Sequence, residues 1–216
     1  MSPLQKIAMG LLVIFIPADF RVGGHVYDAL ADPLGWLLVL SGVKDLRSKI
    51  DLDVAYYLAW VAFAISVPLW FPQLVEHLPT VDPSKAGVVL EHATSHDQVT
   101  DPSVLWAFSL PQAAFSLLLA KAISQEAATR RPRDVPVAGR FGVLQWALGA
   151  TILLPPIAFA EDIAGLVRWT LIGIGAVSVV FIYQLFRWHR REYLGGPGPL
   201  LVGGAKASGN DKGRSD

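Results

Sequence analysis

Residues 163–186 read IAGLVRWTLIGIGAVSVVFIYQLF, and the ten that follow read RWHRREYLGG. The first run carries a single charge, Arg168. It exceeds the roughly 20 apolar residues needed to cross a 30 Å hydrocarbon layer. Arg187, Arg190 and Arg191 come directly after it. An apolar run closed in this way predicts a transmembrane helix whose C-terminal end faces the cytoplasm.

Five further apolar stretches precede it, at 4–18, 33–50, 54–75, 103–124 and 141–160. With the connectors numbered alternately, 15 of the 18 Lys and Arg residues fall on the side of the N-terminus and the tail. Only Arg21, Lys85 and Arg168 fall on the other. A formal charge of zero therefore conceals a strong polarity. The predicted fold is all-α: an integral membrane helical bundle of about six transmembrane helices at the cell membrane, with both termini cytoplasmic. Residues 1–194 form the helical domain, 76–102 its one long extracytoplasmic loop, and 195–216 a Gly- and charge-rich tail expected to be disordered. The first stretch follows Lys6 and lacks a small-residue cleavage site, so it reads as a span and not as a signal peptide.

Composition points the same way. Hydrophobic residues make up 53% and charged residues 17%, against about 25% charged in soluble domains. Trp60, Trp70, Trp106, Trp146, Trp169 and Trp188 lie within or beside the stretches, as interfacial rings do. With no Cys, disulfides, thiolate metal sites and a Cys nucleophile are excluded. No phosphate-binding loop, dinucleotide fingerprint or Gly-x-Ser-x-Gly elbow is present, so no cofactor is expected. Prolines at 68, 72, 111, 155 and 156 should kink their helices, and a discontinuous ion-binding helix is the functional extreme of that reading.

The residues Asp28-Ala29-Leu30-Ala31-Asp32-Pro33-Leu34-Gly35-Trp36 form the densest local pattern. Asp32 suits an N-cap, and Pro33 suits the first helical position. The pattern resembles the Asp-x-Leu-Pro-Asp-x-x-Gly-Tyr/Trp hairpin of small uncharacterised bacterial multi-pass membrane proteins. Asp28, Leu30, Asp32, Gly35 and Trp36 match it, whereas Ala31 stands where Pro is usual. The resemblance covers residues 4–47 and implies a membrane hairpin, with no reaction attached.

Asp28 and Asp32 are four residues apart and would share a face if one helical turn joined them. With Glu161 and Arg168 they make a candidate cation or ion-pair site at the outer mouth, in which Arg168 pairs with Glu161 or Asp32. His92 and His96, also four apart, are candidate metal ligands in the outer loop. Gln112, Gln145 and Gln184 are expected to hydrogen-bond between helices. On the cytoplasmic side Arg130, Arg131 and Arg133 should contact anionic lipid, and so short a basic run beside a membrane does not suggest nucleic acid.

The leading expectation is transport or permeation of a cation or small solute, from the kinked helices and the acidic outer side. The alternative is a non-catalytic accessory or sensor subunit, self-associated or within a larger membrane complex. A membrane enzyme with an outer metal site comes third. In this topology cysteines placed singly at Thr129 and Gly203 are shielded from an impermeant maleimide in whole cells, whereas one at Thr94 is labelled. Labelling at 129 but not at 94 would overturn the six-helix order.

Overall fold

The computed structural model describes residues 1–16, 19–22, 25–28, 32–71, 80–81, 99–100, 102–160 and 164–198. Among them are six α-helices: α1 (Pro3–Phe15), α2 (Asp32–Leu46), α3 (Asp53–Leu69), α4 (Pro102–Thr129), α5 (Val135–Ala160) and α6 (Ala164–Trp188). A 3₁₀ turn at Glu192–Leu194 follows α6. Two antiparallel ribbons accompany the helices. β1 (Asp19–Val22) pairs with β2 (His25–Asp28), and β3 (Thr80–Val81) with β4 (Val99–Thr100).

Local chemistry sets the helix ends. Ser2 caps α1 through a reciprocal box: Gln5 N–H donates to Ser2 Oγ at 3.3 Å, and Ser2 N–H donates to Gln5 Oε1 at 3.0 Å. At the other end Ile16 is extended (φ −89°, ψ 108°), as expected of the residue before Pro17. Asp32 and Pro33 open α2 as the sequence suggests. That helix stops at Leu46, not at 50. There Ser48 Oγ donates to the Asp45 carbonyl, and the Arg47 guanidinium turns to Asp53 at 2.6 Å and over the Tyr56 ring. The third helix stops at Leu69, not at 75: Phe71 N–H turns back to the Pro68 carbonyl at 3.1 Å in a tighter turn, and Phe71 precedes Pro72, a position that disfavours helical backbone. By contrast α4 runs on to Thr129 and α5 begins at Val135, beyond their apolar limits. Pro111, Pro155 and Pro156 lie inside unbroken helices, so the discontinuous-helix expectation is not met at these positions.

Helices α4, α5 and α6 are long and apolar enough to cross a membrane, and less than a third of each apolar window is buried within the fold. Large apolar side chains such as Val143, Trp146, Ile157, Trp169 and Ile172 face outward. This is the surface of a membrane protein. Helices α1, α2 and α3 are shorter, rising about 20, 22 and 26 Å at 1.5 Å per residue.

Each helix packs on its neighbours in sequence, and α6 closes the ring on α1. A single core cluster runs through all six. Trp36 of α2 reaches across to Phe115 of α4, edge to face at 5.7 Å, and both rings are almost fully buried. Phe141 and Phe181 make a similar contact between α5 and α6 at 6.4 Å. The tightest contact joins α1 to α2. A β-carbon added at Gly10 would lie 2.4 Å from the Gly35 carbonyl oxygen, and one at Gly35 would lie 2.7 Å from that of Gly10. The two backbones touch, as small residues allow in lipid.

Several contacts gather one end of the bundle. Lys6 Nζ of α1 meets Asp45 Oδ2 of α2 at 2.6 Å. Gly195, in the left-handed region at φ 76°, packs on the Pro3 ring, and neighbouring Leu194 is fully buried. The start of α1, the end of α2 and the segment after α6 therefore share one end.

Gly35→Ala should destabilise the protein by about 1–3 kcal/mol through overpacking. Gly10→Ala should cost at least as much, because its obstruction is backbone. Gly149→Ala, where an added β-carbon meets nothing within 4 Å, should be neutral or slightly stabilising. Thermal melts in mild detergent measure all three. Equal losses at Gly35 and Gly149 would refute the close packing.

Candidate functional site

The end that gathers the start of α1 and the close of α6 is also the basic end. Helix α4 stops at Thr129, and Arg130-Arg131-Pro132-Arg133-Asp134 lead into α5. Asp134 is held in place by its own backbone: its N–H donates to the Ala127 carbonyl at 3.1 Å, and its carbonyl accepts from Ala138 N–H at 3.0 Å. Arg130 folds back on Glu126 one turn earlier at 2.5 Å. Arg131 and Arg133 are exposed and make no ion pair among the described residues.

The chain after α6 comes to the same place. Arg191 leaves the helix extended, and the 3₁₀ turn then brings back Tyr193. Gly196 and Gly198 N–H groups donate to the Arg191 and Arg190 carbonyls at 2.9 and 3.1 Å, which folds this segment onto itself. Asp134, only 13% exposed at its side chain, is the meeting point. Its carboxylate accepts Arg191 Nε at 3.0 Å and the Tyr193 hydroxyl at 3.1 Å. Burial pushes the Tyr193 phenol well above its usual range, and the Asp134 carboxylate beside it adds to that shift. The guanidinium of Arg130 lies over the Tyr193 ring at 5.1 Å. Those of Arg140, Arg187 and Arg191 surround the Trp188 ring at 5.6, 5.5 and 5.0 Å.

Two cavities open here. One, of about 600 Å³, lies between the α4–α5 connector and the 191–193 segment. The other, of about 550 Å³, is walled by residues 187–188 and 190–193. They share Arg191, Glu192 and Tyr193. Together they present six arginines against Asp134 and Glu192 as their carboxylates, a surplus of four positive charges. Arg190 Nε is buried there without a hydrogen-bond partner. Planar guanidinium forks of this kind suit phosphate, which they can grip through two parallel hydrogen bonds.

The predicted site residues fare unequally. Arg130, Arg131 and Arg133 come together with Arg191 in one cavity wall. Asp28 ends β2 opposite Asp19, where the backbone is extended, and residues 29–31 before Asp32 lie outside the described residues. Asp32 opens α2. Arg168 is exposed on α6. Glu161, His92 and His96 lie outside the described residues, and the described residues hold no cluster of three or more metal ligands. Gln184 bonds within its own helix, accepting Trp188 Nε1 at 2.9 Å, and not between helices. The sequence reading passed over Asp134 and Tyr193, although the arginines around both were visible signals. No protein-family model, curated protein or solved structure matches the chain.

Because the folded state holds the Tyr193 phenol neutral, the unfolded chain loses that proton first as pH rises. The contribution to stability is complete below about pH 10 and falls away above it. Tyr193→Phe should cost about 1.5 kcal/mol at pH 8 and flatten the alkaline decline in melting temperature. A variant with the same alkaline decline as the wild type would refute the Asp134–Tyr193 bond.

Proposed function

We propose that this chain is a non-catalytic accessory or sensor module of the cell membrane, which reads anionic lipid through its arginine-walled end. All six helices cross or enter the bilayer, with both termini cytoplasmic. The short α1–α2 hairpin is accommodated by local thinning of the bilayer. The single observation that carries the reading is the placement of the cavities. Six arginines line hollows immediately beyond the ends of α4 and α6, where the headgroups of the negatively charged leaflet lie. The meeting of Pro3 with Gly195 at this end supports a common side for both termini. Its place in a complex, or its pairing with a second copy, falls to the outward apolar faces of α5 and α6. The resemblance of residues 4–47 to multi-pass hairpins belongs to the same proposal.

Cation or small-solute transport stands second. Ten acidic residues against three basic ones on the opposite side favour it. Trp36 and Phe115, however, fill the interior of the ring at their level. An enzyme with a metal at His92 and His96 stands third, resting on those two residues alone.

Purified protein in neutral micelles should gain melting temperature when phosphatidylglycerol is added, and phosphatidylcholine should give no gain. The gain should fall with added salt and disappear in an Arg131→Gln/Arg133→Gln double variant. A wild type indifferent to lipid charge would overturn the lipid reading. Cation flux through the protein in neutral liposomes would establish the transport reading in its place.

A further inference from the structure

The two cavities are separated by a wall whose charge is already satisfied. Arg191 is bound by Asp134, which also holds Tyr193, so the partition offers little free positive charge. Arg130 is likewise engaged by Glu126. The uncommitted guanidiniums stand on either side of that partition. Arg131 and Arg133 lie in the cavity by the α4–α5 connector, and Arg190 lies in the cavity by the end of α6. Arg190 Nε is buried and bonded to nothing, and an N–H in that state calls for an acceptor. Exposed Glu192 lines both cavities, and each still retains a positive surplus after it is counted. The arrangement thus has two positive poles with a neutralised bridge between them. Each pole offers its own place for a phosphate. An anion with two phosphates on a short linker can satisfy both.

The surroundings identify the source of that anion. The Trp188 and Tyr193 rings line the cavities, immediately beyond the apolar length of α6. Interfacial rings of this kind sit at headgroup depth. We infer that the twin cavities form one site for a lipid with two phosphates, the diphosphatidyl class, each phosphate taken by one cavity. The inference rests on the lipid reading proposed above and narrows it to one headgroup chemistry.

Cardiolipin and phosphatidylglycerol, compared at equal total phosphate in neutral micelles, test it. Melting temperature and native mass spectrometry supply the readouts, and inorganic pyrophosphate serves as a soluble competitor. Cardiolipin should half-saturate at about tenfold lower phosphate than phosphatidylglycerol, with one lipid retained per chain. Arg190→Gln should remove that tenfold advantage, so that cardiolipin and phosphatidylglycerol half-saturate at equal phosphate. Arg190→Lys, which keeps the charge without the buried fork, should do the same and guards against a variant that fails to fold. Equal responses per phosphate, or an advantage surviving both Arg190 variants, would refute the two-phosphate site and leave the broader lipid reading standing. Pyrophosphate competing as strongly as cardiolipin would refute a lipid ligand for the cavities. Indifference to both lipids would defeat the two proposals together.

Discussion

The backbone contact between Gly10 and Gly35 is the constraint from which the rest of the fold follows. Helices in lipid gain nothing from hiding apolar surface from water, so their association relies on close fit. Only residues without a β-carbon let α1 and α2 approach until carbonyl oxygens meet α-carbons. That approach fixes the azimuth of α2 and turns Trp36 inward to Phe115. It also aligns the hairpin axially, so that Lys6 meets Asp45 and the Gly42 backbone passes Ile7 and Pro3. A looser hairpin would carry Pro3 away from Gly195 and open the ring at α6.

The basic end shows a division of labour among charges. Lys6–Asp45, Arg47–Asp53, Arg130–Glu126 and Arg191–Asp134 each join or stiffen a helix end. Such partly exposed pairs contribute little stability, about 0–1 kcal/mol apiece. Their effect is geometric: they set the paths of three connectors and leave other guanidiniums unspent. Asp45, Asp53, Glu126 and Asp134 are thus consumed within the protein. The remaining positive charge belongs to the surroundings.

Much of this was legible from sequence, and the illegible part has a physical pattern. Residues 163–186 announced α6, and Asp32-Pro33 marked the start of α2, because apolar length and end chemistry are local. Hydropathy extends α2 and α3 too far because it does not register Ser48 bonding back to Asp45 or Phe71 N–H turning back to Pro68. The β1–β2 ribbon was overlooked although Gly23-Gly24 favours a hairpin, since helical spacing between Asp28 and Asp32 drew the reading away. Arg130, Arg131 and Arg133 are visible in the sequence as a basic run, and they line one cavity. Asp134 and Tyr193 were not read as its organisers, because 59 residues separate them and only the closed ring brings them together.

That closure has a consequence for biogenesis. Chain synthesis delivers α1 first and α6 last, so the α1 face that receives α6 stays uncovered while the four intervening helices are made. The Asp134 carboxylate spends the same interval without Arg191 and Tyr193, both of which emerge after α6. The arginine-walled hollows therefore exist only once translation has passed Tyr193, and a nascent chain stalled before that point carries the helices without them.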